Sequence, residues 1–291
     1  MYCTPISRVE RGFSLIEMMV ATAIMSLALS IAGAFFVASR NAVTDQMTAQ
    51  ETLQGLRAAL DTLERDFRLG GACLPTTGND FPALAGTNSG TLDGLTARTA
   101  LVRSDMTCIR WPITVAPSAG ATTLTLSSVS GFAAGQRAYI RDGSNNFSEY
   151  VNITGVNTGT NKLTISAGLQ NAYIVNSYIY GIDERVYKID STTYAPVTAI
   201  TVAVNGASPV PFAYGVQSVN VQYQLASNCP PCDVVDLPSA AQWPLVNQLF
   251  VTVTMKSVNK LSNGQYYTAT GTIGAKPRNL LPGTAILGSP A

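Results

Sequence analysis

Residues 11–37 read RGFSLIEMMVATAIMSLALSIAGAFFV. From Phe13 to Val37 the run is 25 residues long and holds one charged side chain, Glu17. As a helix it would be ~37 Å long, enough to cross a hydrocarbon core of ~30 Å with some tilt. Arg8 and Arg11 precede it and stay cytoplasmic by the positive-inside rule. Arg40 follows, but Asp45 and Glu51 come soon after, so the orientation read here is N-terminus in, C-terminus out. A cleavable secretory signal has an apolar core of only ~7–15 residues and a small-residue exit. This run is longer, it shows no clear small-residue exit, and its special residues, Gly12, Phe13 and Glu17, sit at its start. A carboxylate inside an apolar run costs roughly a few kcal/mol in lipid and so calls for a partner.

Beyond Val37 the chain turns polar but keeps a helical rhythm. Ala42, Gln46, Ala49, Leu53, Leu56, Leu60, Leu63 and Phe67 recur at alternating spacings of four and three, one stripe along a helix. Asp61/Arg65 and Glu64/Arg68 form i,i+4 pairs on other faces. Gly70-Gly71 supplies a stop, and no proline lies between Pro5 and Pro75. The reading is one helix from about Phe13 to Leu69, ~85 Å long. Its stripe spans barely three heptads outside the apolar run, short for an independent coiled coil, so it is expected to pack on a sheet of the same chain.

The remainder reads as β. Thr122–Ser127, Arg137–Arg141, Glu149–Thr154, Lys162–Ser166 and Arg185–Ile189 alternate between turns rich in Gly, Asn and Ser. Val197–Val204, Val216–Leu225, Gln248–Val258 and Gln265–Ile273 follow, the last two joined through Ser262-Asn263-Gly264, a hairpin signal. The fold class is therefore α+β. A long N-terminal helix (apolar over 13–38, amphipathic over 39–70) leads into a β-rich domain over 71–291, with an inserted β-module at about 111–182.

Composition excludes several chemistries. The 291 residues contain no histidine, so no Ser-His-Asp triad, Cys-His dyad or His-ligated metal can form. Lys and Arg total 18 against 17 Asp and Glu, a net charge of +1, which does not suit binding to a phosphate backbone. There is no P-loop and no G-x-G-x-x-G. With no nucleophile–base pair, no enzyme is expected. Asp142, Ser144 and Asn146 begin like a calcium loop, but Phe147 stands where Gly is needed and Ile153 where Glu is needed, so a hairpin turn is expected. Asp183 and Glu184 could bind a cation, but a solvated strand end is the default.

The heptapeptide Arg11-Gly12-Phe13-Ser14-Leu15-Ile16-Glu17 resembles the N-terminus of the type IV pilin superfamily. The resemblance implies a leader, 1–12, cut between Gly12 and Phe13 by a membrane prepilin peptidase, N-methylation of Phe13, and use of Glu17 in subunit docking. A second segment, LRAALDTLERDFRLGG from Leu56 to Gly71, looks like the helix end of PilW-type minor pilins, through Leu60, Leu63, Arg65, Asp66, Phe67, Arg68 and Gly71. Val216–Leu225 and Pro277-Arg278-Asn279 resemble the C-terminal part of the same type, whereas the block near 75–180 is poorly covered. The resemblance implies a minor pilin active in pilus assembly near the tip. Its partners would be other minor pilins, the major pilin, the prepilin peptidase and, before assembly, inner-membrane lipid. It implies no cofactor and no nucleic acid. The chain would sit in the inner membrane with a periplasmic domain, and later in the pilus. A minor pseudopilin of type II secretion, a DNA-uptake pilus component and an adhesive module on an anchor are the alternatives.

Removing the leader would take Cys3 and leave Cys73, Cys108, Cys229 and Cys232 in an oxidising compartment. Three pairings are possible. Cys73–Cys108 and Cys229–Cys232 are favoured, the second closing a Cys-Pro-Pro-Cys loop. A redox pair at Cys229/Cys232 would need the motif to open a helix, and a four-cysteine zinc site would want a second Cys-x-x-Cys.

Overall fold

The computed structural model describes residues 14–75, 83–88, 90, 92–102, 107–142, 144, 147–225, 234–239 and 242–277. Among these residues one α-helix, α1 (Leu15–Arg68), is followed by fourteen strands and, ahead of the thirteenth, a short 3-10 turn at Trp243–Leu245. The strands are β1 (Leu84–Thr87), β2 (Gly94–Ala100), β3 (Arg110–Pro112), β4 (Thr123–Thr125), β5 (Arg137–Arg141), β6 (Ser148–Asn157) and β7 (Lys162–Ile165). Then come β8 (Tyr178–Asp190), β9 (Ala199–Val204), β10 (Val210–Tyr214), β11 (Val216–Leu225), β12 (Val234–Val235), β13 (Val246–Lys260) and β14 (Tyr266–Ala275). This is the α+β architecture expected, with β5 and β11 at the bounds read from the sequence. At 54 residues α1 is ~81 Å long. It ends where Gly71, at φ 77°, turns the chain and donates its N–H to the Arg98 carbonyl at 2.8 Å.

Two antiparallel sheets carry the rest. The smaller has the order β12-β11-β13-β14. The larger, of ten strands, runs β1-β2-β8-β5-β6-β7-β4, with β3 and the β9–β10 hairpin also joined to β8. Strand β8 is its spine. Residues 178–182 lie between β3 and β5, and the later part lies between β2 and β9.

The helix packs on the smaller sheet. Thr52, Leu56, Ala59, Leu60, Leu63, Asp66 and Phe67 are buried on α1, and the apolar ones among them share one core with Val219, Val221 and Tyr223 of β11 and Leu249, Val251 and Val253 of β13. Gly271 of β14 makes room for the helix, because a Cβ there would overlap a Leu60 methyl. The expected stripe is thus corrected at its lower end. Ala42 and Gln46 are exposed, because the domain reaches down α1 only as far as Asp45. A second core is drawn wholly from residues between Ile109 and Ile179, and includes Ile113, Leu124, Ile140, Ile153 and Leu163. Of the two expected helix pairs, Glu64–Arg68 forms, while the Arg65 guanidinium lies 3.7 Å from Asp66.

Candidate functional site

Every residue of α1 from its Ser14 cap to Thr44 is exposed. Leu15 is 79% and Phe35 75% exposed, so apolar side chains stand free around the whole circumference of a rod ~46 Å long. By length and composition it can cross a membrane, and a helix apolar on all sides must find an apolar environment. The hydroxyls of Thr22, Ser26 and Ser30 are satisfied within the helix. Thr22 Oγ1 donates to the Met18 carbonyl at 3.0 Å, and Ser26 and Ser30 donate to the carbonyls of Ala23 and Ser26 at 2.8 Å.

Glu17 lies in the first turn of this rod. Ser14, in extended conformation (φ −74°, ψ 142°), caps the helix: its Oγ accepts the Ile16 N–H at 3.4 Å, and Glu17 Oε2 accepts the Ser14 N–H at 2.9 Å. Ser-x-x-Glu ahead of an apolar run is a capping box, and a carboxylate there also meets the positive end of the helix dipole. The charge is therefore partly compensated inside its own chain. A carboxylate has capacity for further hydrogen bonds, so a cation can approach without breaking the cap.

At the other end of the rod the domain grips the helix. Ser262, in the turn between β13 and β14, donates its N–H and Oγ–H to the two carboxylate oxygens of Asp45, at 2.8 and 2.5 Å. Near the top of α1, Asp66 is buried and accepts hydrogen bonds from the Tyr187 hydroxyl and from Arg185 Nη1, the latter at 2.8 Å. Burial, then the Asp66 hydrogen bond, push the Tyr187 hydroxyl well above its usual pKa. Burial works against the Arg185 charge, but the bond to Asp66 and its charge outweigh it and raise the Arg185 pKa.

Several sequence expectations change here. Glu184 is not a solvated strand end but 4% exposed. Its two oxygens are held by Arg98 Nε at 2.6 Å and by Arg137 Nη1. Both guanidiniums also stack over Tyr150, at 5.4 and 5.5 Å. Register explains the burial: Glu184 faces Arg98 across β2 and β8, in the middle of the larger sheet. Asp183 pairs with Arg185 at 3.2 Å. Asp142 is buried, accepts the Ser177 hydroxyl at 3.2 Å, and donates its N–H to the Phe147 carbonyl, closing a hairpin turn; Asn146 lies outside the described residues.

Cys73 and Cys108 are joined in a disulfide, with Cα atoms 5.8 Å apart, which ties the helix exit to the start of β3. Gly12, Phe13, Cys229 and Cys232 lie outside the described residues. Among the described residues no group of three or more Cys, Asp or Glu is placed to hold a metal ion. The reading of the sequence passed over Ser14, although the Ser14-x-x-Glu17 spacing is a local signal. It also passed over the Asp45–Ser262 grip, for which no local signal exists.

A family model described as the prokaryotic N-terminal methylation motif matches residues 7–33, from ahead of the rod well into it. No curated protein matches the chain significantly. The motif, on an exposed apolar helix that leads into a β-rich domain, supports the type IV pilin-like class, pseudopilins included, and a membrane-anchoring role for α1.

Proposed function

We propose that the chain is a minor pilin of a type IV pilus, most like the PilW type, and that it acts by packing rather than by catalysis. The observation that carries this is the exposed rod of residues 14–44, headed by the Ser14/Glu17 cap and attached to a domain with its own cores. Cleavage after Gly12 gives Phe13 a new α-amine, which N-methylation leaves basic. Among bundled apolar helices that cation has little water, and the Glu17 carboxylate of a neighbouring subunit neutralises it at lower cost than either charge would carry alone. One such pair per subunit sets axial register, as a single polar residue does in a coiled coil. The rod exchanges lipid for like rods, and the β-domain selects which neighbours fit. Cleavage leaves 16 basic and 16 acidic side chains, so shape rather than long-range charge governs that choice.

The test is Glu17→Ala in the organism's own assembly system. The mature N-terminus, read by mass spectrometry, should still begin at Phe13, while recovery of the protein in sheared pili should fall to background. Normal recovery would overturn the role of Glu17, and a first residue other than Phe13 would overturn the reading as a whole.

A further inference from the structure

Strand β14 is the outer strand of the smaller sheet, and its far flank has no neighbouring strand among the described residues. It is 10 residues long and holds neither a charged residue nor a proline. The other strands with a single neighbour are β1, β3, β4 and β12, of 2 to 4 residues, and β10, which carries Pro211 and a bulge. Short length, charge, proline and bulges are the devices that keep a sheet edge from pairing, and from Thr268 onward β14 has none of them.

Backbone direction alternates along a strand, so each residue turns its N–H and C=O to one flank only. The Lys256 N–H donates at 2.7 Å to the carbonyl of Gly215, just ahead of β11, so the even residues of β13 face β11 and the odd ones face β14. By the register Val253↔Gly271 the odd residues of β14 are the engaged ones, and the Tyr267 N–H accordingly reaches Ser257 Oγ at 3.0 Å. Thr268, Thr270, Thr272 and Gly274 therefore turn their backbone groups to the open flank, along ~20 Å of edge. No hydrogen bond among the described residues takes these groups. The side chains leave the flank clear. Thr270 and Thr272 pair hydroxyls with Thr254 and Thr252 on the exposed face, at 3.0 and 2.9 Å, while Ala269 is buried in the core and Gly271 lies under Leu60.

Such a row of open groups is recognised by another extended chain. Asp61, Glu64, Arg65 and Arg68 of α1 line an open groove of about 770 Å³ together with Gly274 and Lys276. Glu64 pairs with Arg68, and Arg65 lies near Asp66, which leaves Asp61 and Lys276 without an ion partner among the described residues. Strand β14 runs in the same sense as α1: the turn before it meets Asp45, Gly271 lies at Leu60, and Lys276 shares the groove with Arg68. Two copies paired antiparallel through β14 would point their rods in opposite directions, which neither one membrane nor one filament permits. The edge of the same sheet that runs the other way, β12, is 2 residues long, too short to cover β14.

We infer that the free edge of β14 is a strand-addition site for a different subunit of the same pilus. The added segment runs antiparallel to β14, with an acidic side chain facing Lys276 and, about four residues on, a basic one facing Asp61. The inference rests on the reading of the chain as a pilin, and it gives the packing of neighbours above the rod bundle a defined register.

The experiment places the photo-crosslinker p-benzoylphenylalanine at position 268 or 272 of the full chain, in its own assembly system, and maps the linked peptides in sheared pili. Both positions should link to one segment of another subunit, and the residue linked from 272 should precede the one linked from 268. Thr270→Pro removes an outward N–H and no bond to β13. It should lower the yield of linkage roughly tenfold, the cost of one unbonded carbonyl on the added strand, and leave thermal unfolding of the purified chain near the parent's. Lys276→Glu should lower the yield as well. Amide exchange of the purified chain in detergent should be fast at Thr268, Thr270 and Thr272 and slow at Ala269 and Gly271. Equal protection of the two sets, linkage to residues 278–291 of the same chain or to a second copy, or an unchanged yield with Thr270→Pro overturns the inference. A chain that begins at Phe13 and is recovered in pili without linkage removes the strand-addition site alone, whereas absence of the chain from pili removes the pilin reading and the site with it.

Discussion

Glu184 is a buried carboxylate shared by two arginines. Its side chain is 5% exposed, between Arg98 at 16% and Arg137 at 30%, and it joins β8 to β2 on one side and β5 on the other. Glu184→Ala removes the carboxylate that the Arg98 and Arg137 guanidiniums share beside Tyr150. Removing one partner from a buried ion group costs ~3–5 kcal/mol. Arg137 recovers part of its hydration, so the lower end, ~3 kcal/mol, is expected. With a urea m-value of ~2 kcal/mol/M the unfolding midpoint should drop by ~1.5 M. The assay is urea unfolding of the full chain in mild detergent, followed by the fluorescence of Trp111 in β3, the strand beside the first half of β8. Glu184→Gln, which keeps an acceptor and loses the charge, should fall between the two. Replacing the whole group with apolar residues (Arg98→Met, Arg137→Met, Glu184→Leu) should recover most of the loss, because no charge is then left without a partner. A Glu184→Ala midpoint equal to the parent's would refute the argument, since the ion group would then be solvated in the folded protein.

Burial first of all raises the hydroxyl pKa of Tyr150, Tyr173, Tyr180, Tyr187 and Tyr223 above the ordinary value near 10. In the unfolded chain these groups ionise near pH 10, so stability is intact below that pH and is lost as pH rises above it. Phenolate absorbance should therefore rise in two stages, the second coinciding with loss of circular dichroism; one smooth titration with the fold intact would contradict this. Gly215 sits at φ +79°, and a Cβ there would overlap the Lys256 carbonyl oxygen, so Gly215→Ala should cost ~2 kcal/mol or more in thermal unfolding. Gly264→Ala, at φ +82° with nothing within 4 Å, should cost only ~1 kcal/mol, the conformational part alone. Reducing Cys73–Cys108, 35 residues apart, should remove ~3–4 kcal/mol by the loop-entropy estimate, read as a lower denaturant midpoint with reductant present.

What the sequence disclosed about this molecule follows the range of each interaction. The rod and its helical continuation were legible because an unbroken apolar run and a stripe at helical spacing are both local patterns. Strands β5 and β11 were legible because large apolar residues alternate with polar ones, as in RAYIR and VQSVNVQYQL. Strand β2 (GLTARTA) passed unnoticed because its buried positions are partly filled by alanine, whose small size carries little alternation signal. The buried acids were illegible for a stronger reason. Asp66 meets Arg185 across 119 residues and Glu184 meets Arg98 across 86, so no local pattern distinguishes either from a surface carboxylate. The same holds for the quantity on which the proposed function depends, the length of rod left free. The stripe from Ala42 onward placed the domain lower on the helix than it sits, because a stripe records which face is apolar and not where its cover ends. That limit is set by Ser262 reaching Asp45 across 217 residues of sequence. The composition of the rod is thus a local property, whereas its free length is a property of the whole fold. A change in the β13–β14 turn would alter it without touching the helix.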